Sequence, residues 1–207
     1  MALDYKDMIR TILESLSQVD YIKPEDIPSI PLYMDQVTTF MEEQLQSVRR
    51  HPDDKIMTKT MINNYAKNNL IPPPEKKKYS REHILLLIFV YYLKNILSIG
   101  DIQTLLHPIT EKYFNNKEGL SLTDVYEEVF SLEKDQIDHM VKDIVRSYQI
   151  ADTTFSDAPE EDREFLNQFS FIAMLSFDVY LKKQIIERMI DQISDVQKDN
   201  TSNKNKK

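Results

Sequence analysis

The sequence predicts an all-α protein: a small winged helix-turn-helix followed by a helical C-terminal region. Three observations predict this. Only two of the 207 residues are glycine, and sheets, tight hairpins and phosphate-cradling loops all lean on glycine. Apolar residues recur at helical spacing along most of the chain. Residues 56–106 read in order as short helix, proline-stiffened turn, lysine strip, long apolar helix and second short helix.

Residues 3–18 place Met8, Ile12, Leu13 and Leu16 on one helical face, the pattern of a docking helix. The next segment, YIKPEDIPSIPLY, contains Pro24, Pro28 and Pro31 and cannot be regular helix. It is expected to lie over the core through Ile27, Ile30 and Leu32. Asp35 to Arg50 is helical again, with Val37, Phe40, Met41 and Leu45 as its buried stripe and His51-Pro52 as its stop. This is the bracing helix of the helix-turn-helix.

Thr58 is an N-cap for a helix over 59–68. Ile62, Tyr65 and Ala66 face inward at helical spacing, which leaves Lys59, Thr60, Asn63, Asn64 and Lys67 outside. Asn69 stands where a left-handed cap is wanted, and Pro72-Pro73-Pro74 enforces a stiff, extended exit. Lys76, Lys77, Lys78 and Tyr79 follow as a short exposed element, a two-strand wing near 71–79. Ser80 caps the next helix, with His83 in the position a capping box gives to Glu. Ile84 through Leu93 is apolar on nearly every face, so this helix is central, with Ile84, Leu87, Ile88, Tyr91 and Leu97 in the core. Ser98 opens a helix carrying Ile102, Leu105 and Leu106, expected to end at Pro108.

From about residue 115 the chain turns acidic. Helices are expected at 121–131, at 133–148 with Ile137, Met140, Val141, Ile144 and Val145, and at 160–194 with Phe165, Phe169, Ile172 and Phe177 among many apolar residues. Residues 151–159 form a polar linker. The expected organisation is a helix-turn-helix domain over 1–114, a dimerisation or effector region over 115–195 and a disordered tail over 196–207.

The formal charge is −8, but it is unevenly spread. Residues 55–94 carry eight Lys/Arg against Glu75 and Glu82, a local +6, so the remainder carries −14. A basic module sits inside an acidic chain. No cysteine is present, which excludes disulfides and thiolate metal sites. The opening MALDYKDMIR lacks the apolar core of a secretion signal. The longest apolar run, Ile84 to Leu93, is far too short to span a bilayer. A cytoplasmic protein without membrane contact is expected.

Catalytic motifs are missing. His51, His83, His107 and His139 are scattered, with no pair at i,i+4. There is no GxxxxGK[ST], no GxGxxG and no GxSxG. Adjacent acids such as Glu127-Glu128 point to different parts of a helix surface. Neither an enzyme, a metal site nor a cofactor is expected.

Residues 57–106 are similar to the start of MerR-type regulators, in which a helix-turn-helix carries a Leu-Arg-Tyr-Tyr motif, a Gly-Leu-Leu-Pro-Pro exit and a wing. Tyr65 stands at the second tyrosine, Leu70-Ile71-Pro72-Pro73 at the exit, and Ser98, Ile99 and Ile102 in a following Gly-Phe-Ser-Leu-x-x-Ile motif. Asn63 replaces the arginine, Asn64 the first tyrosine, and Asn69 and Ile96 the two glycines. More of the chain resembles a bacterial family known as domain of unknown function 1836. The stretches LYMDQVTTF, TKTMINNYAK, PPPEKKKYSREH and LKNILSI carry this resemblance. It implies a helix-turn-helix protein without an assigned activity.

The expected function is that of a DNA-binding transcriptional regulator. Its partners would be double-stranded DNA and a second copy of the chain; no motif specifies a small-molecule effector. Lysines attract phosphates, and asparagine pairs with adenine in the major groove. The candidate contacts are Thr58, Lys59, Thr60, Asn63, Asn64 and Lys67 on the recognition helix, and Lys76, Lys77, Lys78, Tyr79 and Arg81 around the wing. The alternative is an interaction adaptor on a helix-turn-helix scaffold, suggested by the overall acidity and the missing arginine.

Overall fold

The computed structural model describes residues 5–16, 21–51 and 53–204. Their order is α1 (Tyr5–Leu16), β1 (Leu32–Tyr33), α2 (Met34–Leu45), α3 (Lys59–Lys67), β2 (Lys78–Tyr79), α4 (Arg81–Leu93), α5 (Ile99–Tyr113), α6 (Leu122–Ser131), α7 (Glu133–Ala151) and α8 (Glu160–Lys204). The protein is mostly helical. Among the described residues there is one sheet, in which β1 and β2 pair antiparallel. The chain divides into two compact units. One holds Ile22–Val129 with the end of α8 from Ile186; the other holds α1 with Phe130–Ile185.

The larger unit is built on α4, where every residue from His83 to Val90 is buried. A helix turns every 3.6 residues, so two buried turns leave no face for water. Its neighbours supply the cover. Val37, Phe40, Met41 and Leu45 are buried on α2, Ile62 and Tyr65 on α3, Ile102 and Leu106 on α5, and Leu122 and Tyr126 on α6. The Tyr126 ring meets Phe89 of α4 edge-on at 5.4 Å. Its hydroxyl donates to the Ile22 carbonyl at 2.7 Å, which ties the connector to the core.

Helix starts follow from local chemistry. Ser98 N–H donates to Asp101 Oδ2 at 3.1 Å while Asp101 N–H donates back to Ser98 Oγ at 3.2 Å. Ser121 and Asp124 repeat the exchange at 2.7 and 3.2 Å. These reciprocal bonds satisfy amides that the first turn leaves unpaired. At α4 histidine takes the acid's place: Ser80 N–H donates to His83 Nδ1 at 3.0 Å, and Ser80 Oγ lies 2.7 Å from the same nitrogen. Because Nδ1 accepts, the imidazole proton belongs on Nε2.

Several expectations need correction. The expected stop at Pro108 does not occur; α5 runs through it to Tyr113. Proline removes the amide that would bond the carbonyl four residues back. That carbonyl, on Thr104, accepts instead from Gln197 Nε2 of α8 at 3.3 Å. The backbone expected to be a disordered tail from 196 is thus helical through Lys204. Ile30 is 66% exposed rather than packed, whereas Ile27 and Leu32 are buried as expected. Tyr91 is half-buried, not core. Helix α2, expected to brace α3, ends at Leu45 and tightens into a 3-10 turn over Gln46–Val48; Pro52, its expected stop, lies outside the described residues. The larger unit extends past the boundary expected at 114, to Val129.

In the smaller unit, Phe171 and Ala151 are buried, and Tyr148 meets Phe171 edge-on at 5.6 Å. Asn167 Nδ2 donates to the Asp152 carbonyl at 3.3 Å across the turn joining α7 to α8. On α1, Met8 and Ile12 are exposed and Leu13 is half-buried; the side chain of Leu16 lies outside the described set. On α7, Met140 and Val145 are exposed, and Ile137, Val141 and Ile144 are half-buried.

Two stability measurements check this account. Tyr126→Phe keeps the ring but leaves a buried carbonyl unpaired, so urea unfolding should show a loss of about 1–3 kcal/mol. An unchanged midpoint would mean that the Ile22 bond contributes nothing. The second concerns His83, whose burial lowers its pKa. The Pro72 and Pro73 carbonyls and Glu75 oppose that shift, but Nε2 forms no hydrogen bond of good geometry. In the window from the ordinary imidazole value of about 6.5 down to the lowered one, the unfolded chain binds a proton that the folded chain refuses. Stability should therefore fall as pH drops through that window. His83→Gln keeps a side-chain acceptor for the Ser80 amide and should flatten the pH dependence; an equally steep profile in that variant would assign it elsewhere.

Candidate nucleic-acid interface

Helix α3 has two chemically distinct faces. Ile62 and Tyr65 are buried, and Ala66 is half-buried behind them. Thr60, Asn63, Asn64 and Lys67 recur at i, i+3, i+4 and i+7, form one stripe, and are all exposed. Thr58 is half-buried and spends its hydroxyl as an acceptor for the Met61 amide at 3.2 Å, which starts the helix at Lys59. At the other end Asn69 takes φ 55°, and Leu70 N–H bonds back to the Tyr65 carbonyl at 2.9 Å. This left-handed stop sends the chain into the proline run.

The second half of the site is a turn. Lys78 N–H donates to the Glu75 carbonyl at 2.9 Å, and the two residues between them, Lys76 and Lys77, take φ 48° and 64°. Consecutive left-handed residues make a turn of the kind that favours Asn-Gly. Lysine there carries a steric penalty on the order of 1 kcal/mol or more per residue. Both lysines are exposed at the turn's tip. The two-strand wing expected near 71–79 needs correction. Lys78 bridges Glu75, but the paired strand comes from the connector before α2, with Leu32 opposite Tyr79 and Tyr33 opposite Lys78.

That pairing reassigns some of the expected contacts. Tyr79 is only 2% exposed, its ring set edge-on to His83 at 5.6 Å, and burial raises its phenol pKa. It anchors the β1–β2 strand pair and is not available to a partner, contrary to expectation. Lys78 is half-buried with its ammonium 5.0 Å from the centre of the Tyr33 ring. Arg81 is half-buried, and its Nε is buried without a hydrogen bond. Lys59 is exposed but forms an ion pair with Asp35 of α2.

Exposed and left open for a partner are therefore the α3 stripe and the Lys76-Lys77 tip. The motif reading missed Tyr33 and Asp35, which restrain Lys78 and Lys59. The legible signal was Tyr33, a strand-favouring aromatic just before α2. Among the described residues no group of three His, Asp or Glu side chains is placed to hold a metal ion, and no helix is long and apolar enough to cross a membrane.

Comparison with known families gives a match. The family described as Domain of unknown function (DUF1836) matches residues 22–129, the segment that forms the body of the larger unit. No curated protein and no solved structure matches the chain. With its strand pair, α3 and buried α4 all inside the matched segment, the chain belongs to the DUF1836 family.

Proposed function

We propose that this protein is a cytoplasmic DNA-binding transcriptional regulator with a MerR-like winged helix-turn-helix. The observation that carries the reading is the pairing of an exposed Thr60-Asn63-Asn64-Lys67 stripe with a strained, doubly lysine-tipped turn in the same unit. Strain is retained where a function needs it; here the left-handed tip projects two cations without a long loop. The strand before α2 pairs with the strand after that tip, as a wing requires. In this reading α3 enters the major groove, Asn63 and Asn64 meet base edges, and Lys76 and Lys77 neutralise phosphates.

The competing reading, an interaction adaptor on the same scaffold, draws on the net charge of −8 and on the Lys59–Asp35 pair. Salt-dependent binding to genomic fragments separates the two. Lys76→Asn with Lys77→Gly keeps the turn and removes both charges. The log–log salt slope of DNA binding should flatten by roughly 0.9 per lost contact, while folding stability rises by on the order of 1 kcal/mol as the strain is relieved. Asn63→Ala should cost about 1–3 kcal/mol on the preferred site alone and leave the slope unchanged. Absence of any salt-sensitive binding by the unmodified protein would favour the adaptor.

A single recognition helix reads few base pairs, so the regulator reading calls for two copies. Helix α8 offers the seam: Phe165, Phe169, Ile172, Phe177, Leu181 and Ile185 are all exposed in the single chain, and apolar surface of this extent marks association. The first three follow the four-then-three spacing of a helical seam. Light scattering should return twice the 24.5 kDa chain mass. Phe169→Asp with Ile172→Asp should return the single mass; a monomeric unmodified protein at tens of micromolar would overturn the dimer.

A further inference from the structure

A second concentration of positive charge lies outside α3 and the wing, in a cleft at the C-terminal end of α4. It encloses about 550 Å³ and is lined by Arg49, Arg50, Lys55 and Lys94, with Asp54 as its carboxylate. Two of the cations are held. Arg49 Nη1 donates to Glu42 Oε1 at 2.7 Å. Lys94 Nζ donates to the Ile56 carbonyl at 2.7 Å and stands 4.9 Å from the centre of the Tyr91 ring. Burial lowers the Lys94 pKa, so water stabilises this ammonium less than it does an exposed one.

The carboxylates nearby do not balance this charge. Among the described residues, Arg50, Lys55 and Lys94 form no ion pair. Asp54 Oδ2 is engaged by the His51 amide at 3.0 Å. Asp54 in the lining offsets one of these three charges and leaves a positive surplus, whose repulsion grows where water is displaced. An anion would remove it.

We propose that this cleft binds a phosphate group. Lys94 is the half-buried, fixed donor; Arg50 and Lys55 are the exposed clamps. A carboxylate brings one charge and two oxygens. A phosphate brings more charge and three or four oxygens, which suits three cations lining one cleft, and its geometry suits the planar fork of an arginine. The Tyr91 ring beside Lys94 gives an organic substituent something to lie against. Ile56, whose carbonyl Lys94 holds, stands three residues before Lys59 at the start of α3. A phosphate here would fix the segment that leads into α3. Its source is either the backbone of DNA or a free phosphorylated small molecule, and the site itself does not depend on the DNA reading.

The test uses the full chain with two probes, pyrophosphate by calorimetry and a short DNA duplex by fluorescence anisotropy across salt. Arg50→Ala with Lys55→Ala changes two exposed side chains and should leave the helical circular dichroism intact. Lys94→Met, checked the same way, removes the fixed donor at similar length. Pyrophosphate binding that weakens at least tenfold in these variants, but not in Lys76→Asn/Lys77→Gly, would establish a site for a free phosphate. A duplex salt slope that flattens by roughly 0.9 per contact in Arg50→Ala/Lys55→Ala, with no pyrophosphate binding, would assign the site to the DNA backbone. Pyrophosphate binding without any duplex binding would remove the DNA reading and leave the phosphate site standing. If neither probe responds to the Arg50 and Lys55 changes, the proposal is overturned.

Discussion

The total burial of α4 is the constraint on which the larger unit depends. Ile84, Leu85, Leu86, Leu87, Ile88 and Val90 are each 1% exposed or less, and removing such a side chain from water is worth about 1.5–3 kcal/mol. A neighbour that moved away would uncover several of them at once. The covering helices and the strand pair are therefore locked to one another through α4, not through a sheet or a disulfide. Both candidate sites borrow that rigidity. The lysine-tipped turn and β2 are anchored at one end of α4 by Tyr79 and by the Ser80–His83 cap. The cationic cleft is anchored at the other end by Lys94.

Charge is the second theme. The chain is acidic overall at −8, and tertiary contacts engage several of the cations in its basic middle. Lys59 meets Asp35, Lys78 leans on Tyr33 and Arg49 meets Glu42. An ion pair exposed on both sides, as Lys59–Asp35 is, contributes little stability; the effect of these contacts is to hold a long side chain in one place. What remains exposed is concentrated at the Lys76-Lys77 tip, at Lys67 on the α3 stripe, and at Arg50 and Lys55. The distribution of unpaired cations, and not their number in the sequence, marks the surfaces open to an anionic partner.

The helical layout was legible because it rests on short-range rules. Apolar spacing located α2 to α8, Thr58, Ser80 and Ser98 marked three helix starts, and Asn69 marked a left-handed stop. The inward and outward faces of α3 followed from the same periodicity. Where a short-range rule met a long-range partner, it failed. Pro108 reads as a stop, yet α5 passes through it because Gln197, far along the chain, bonds the carbonyl that proline orphans. Tyr79, beside three lysines, reads as surface, yet its pairing with Leu32 turns it into the core.

By itself, then, the sequence determined the all-α character, the order of the helices, the buried α4 and the polar stripe of α3. Each of these depends on spacing within a dozen residues or on side-chain chemistry at a helix end. Only the tertiary structure decided the rest. It paired β1 with β2 across more than forty residues of chain and set Lys76 and Lys77 in a left-handed turn that lysine does not signal. It also gathered Arg49, Arg50, Lys55 and Lys94 from two separate segments into one cleft. The physical reason is the same in each case: the deciding contact joins residues distant in sequence, and burial of α4 is what brings them together.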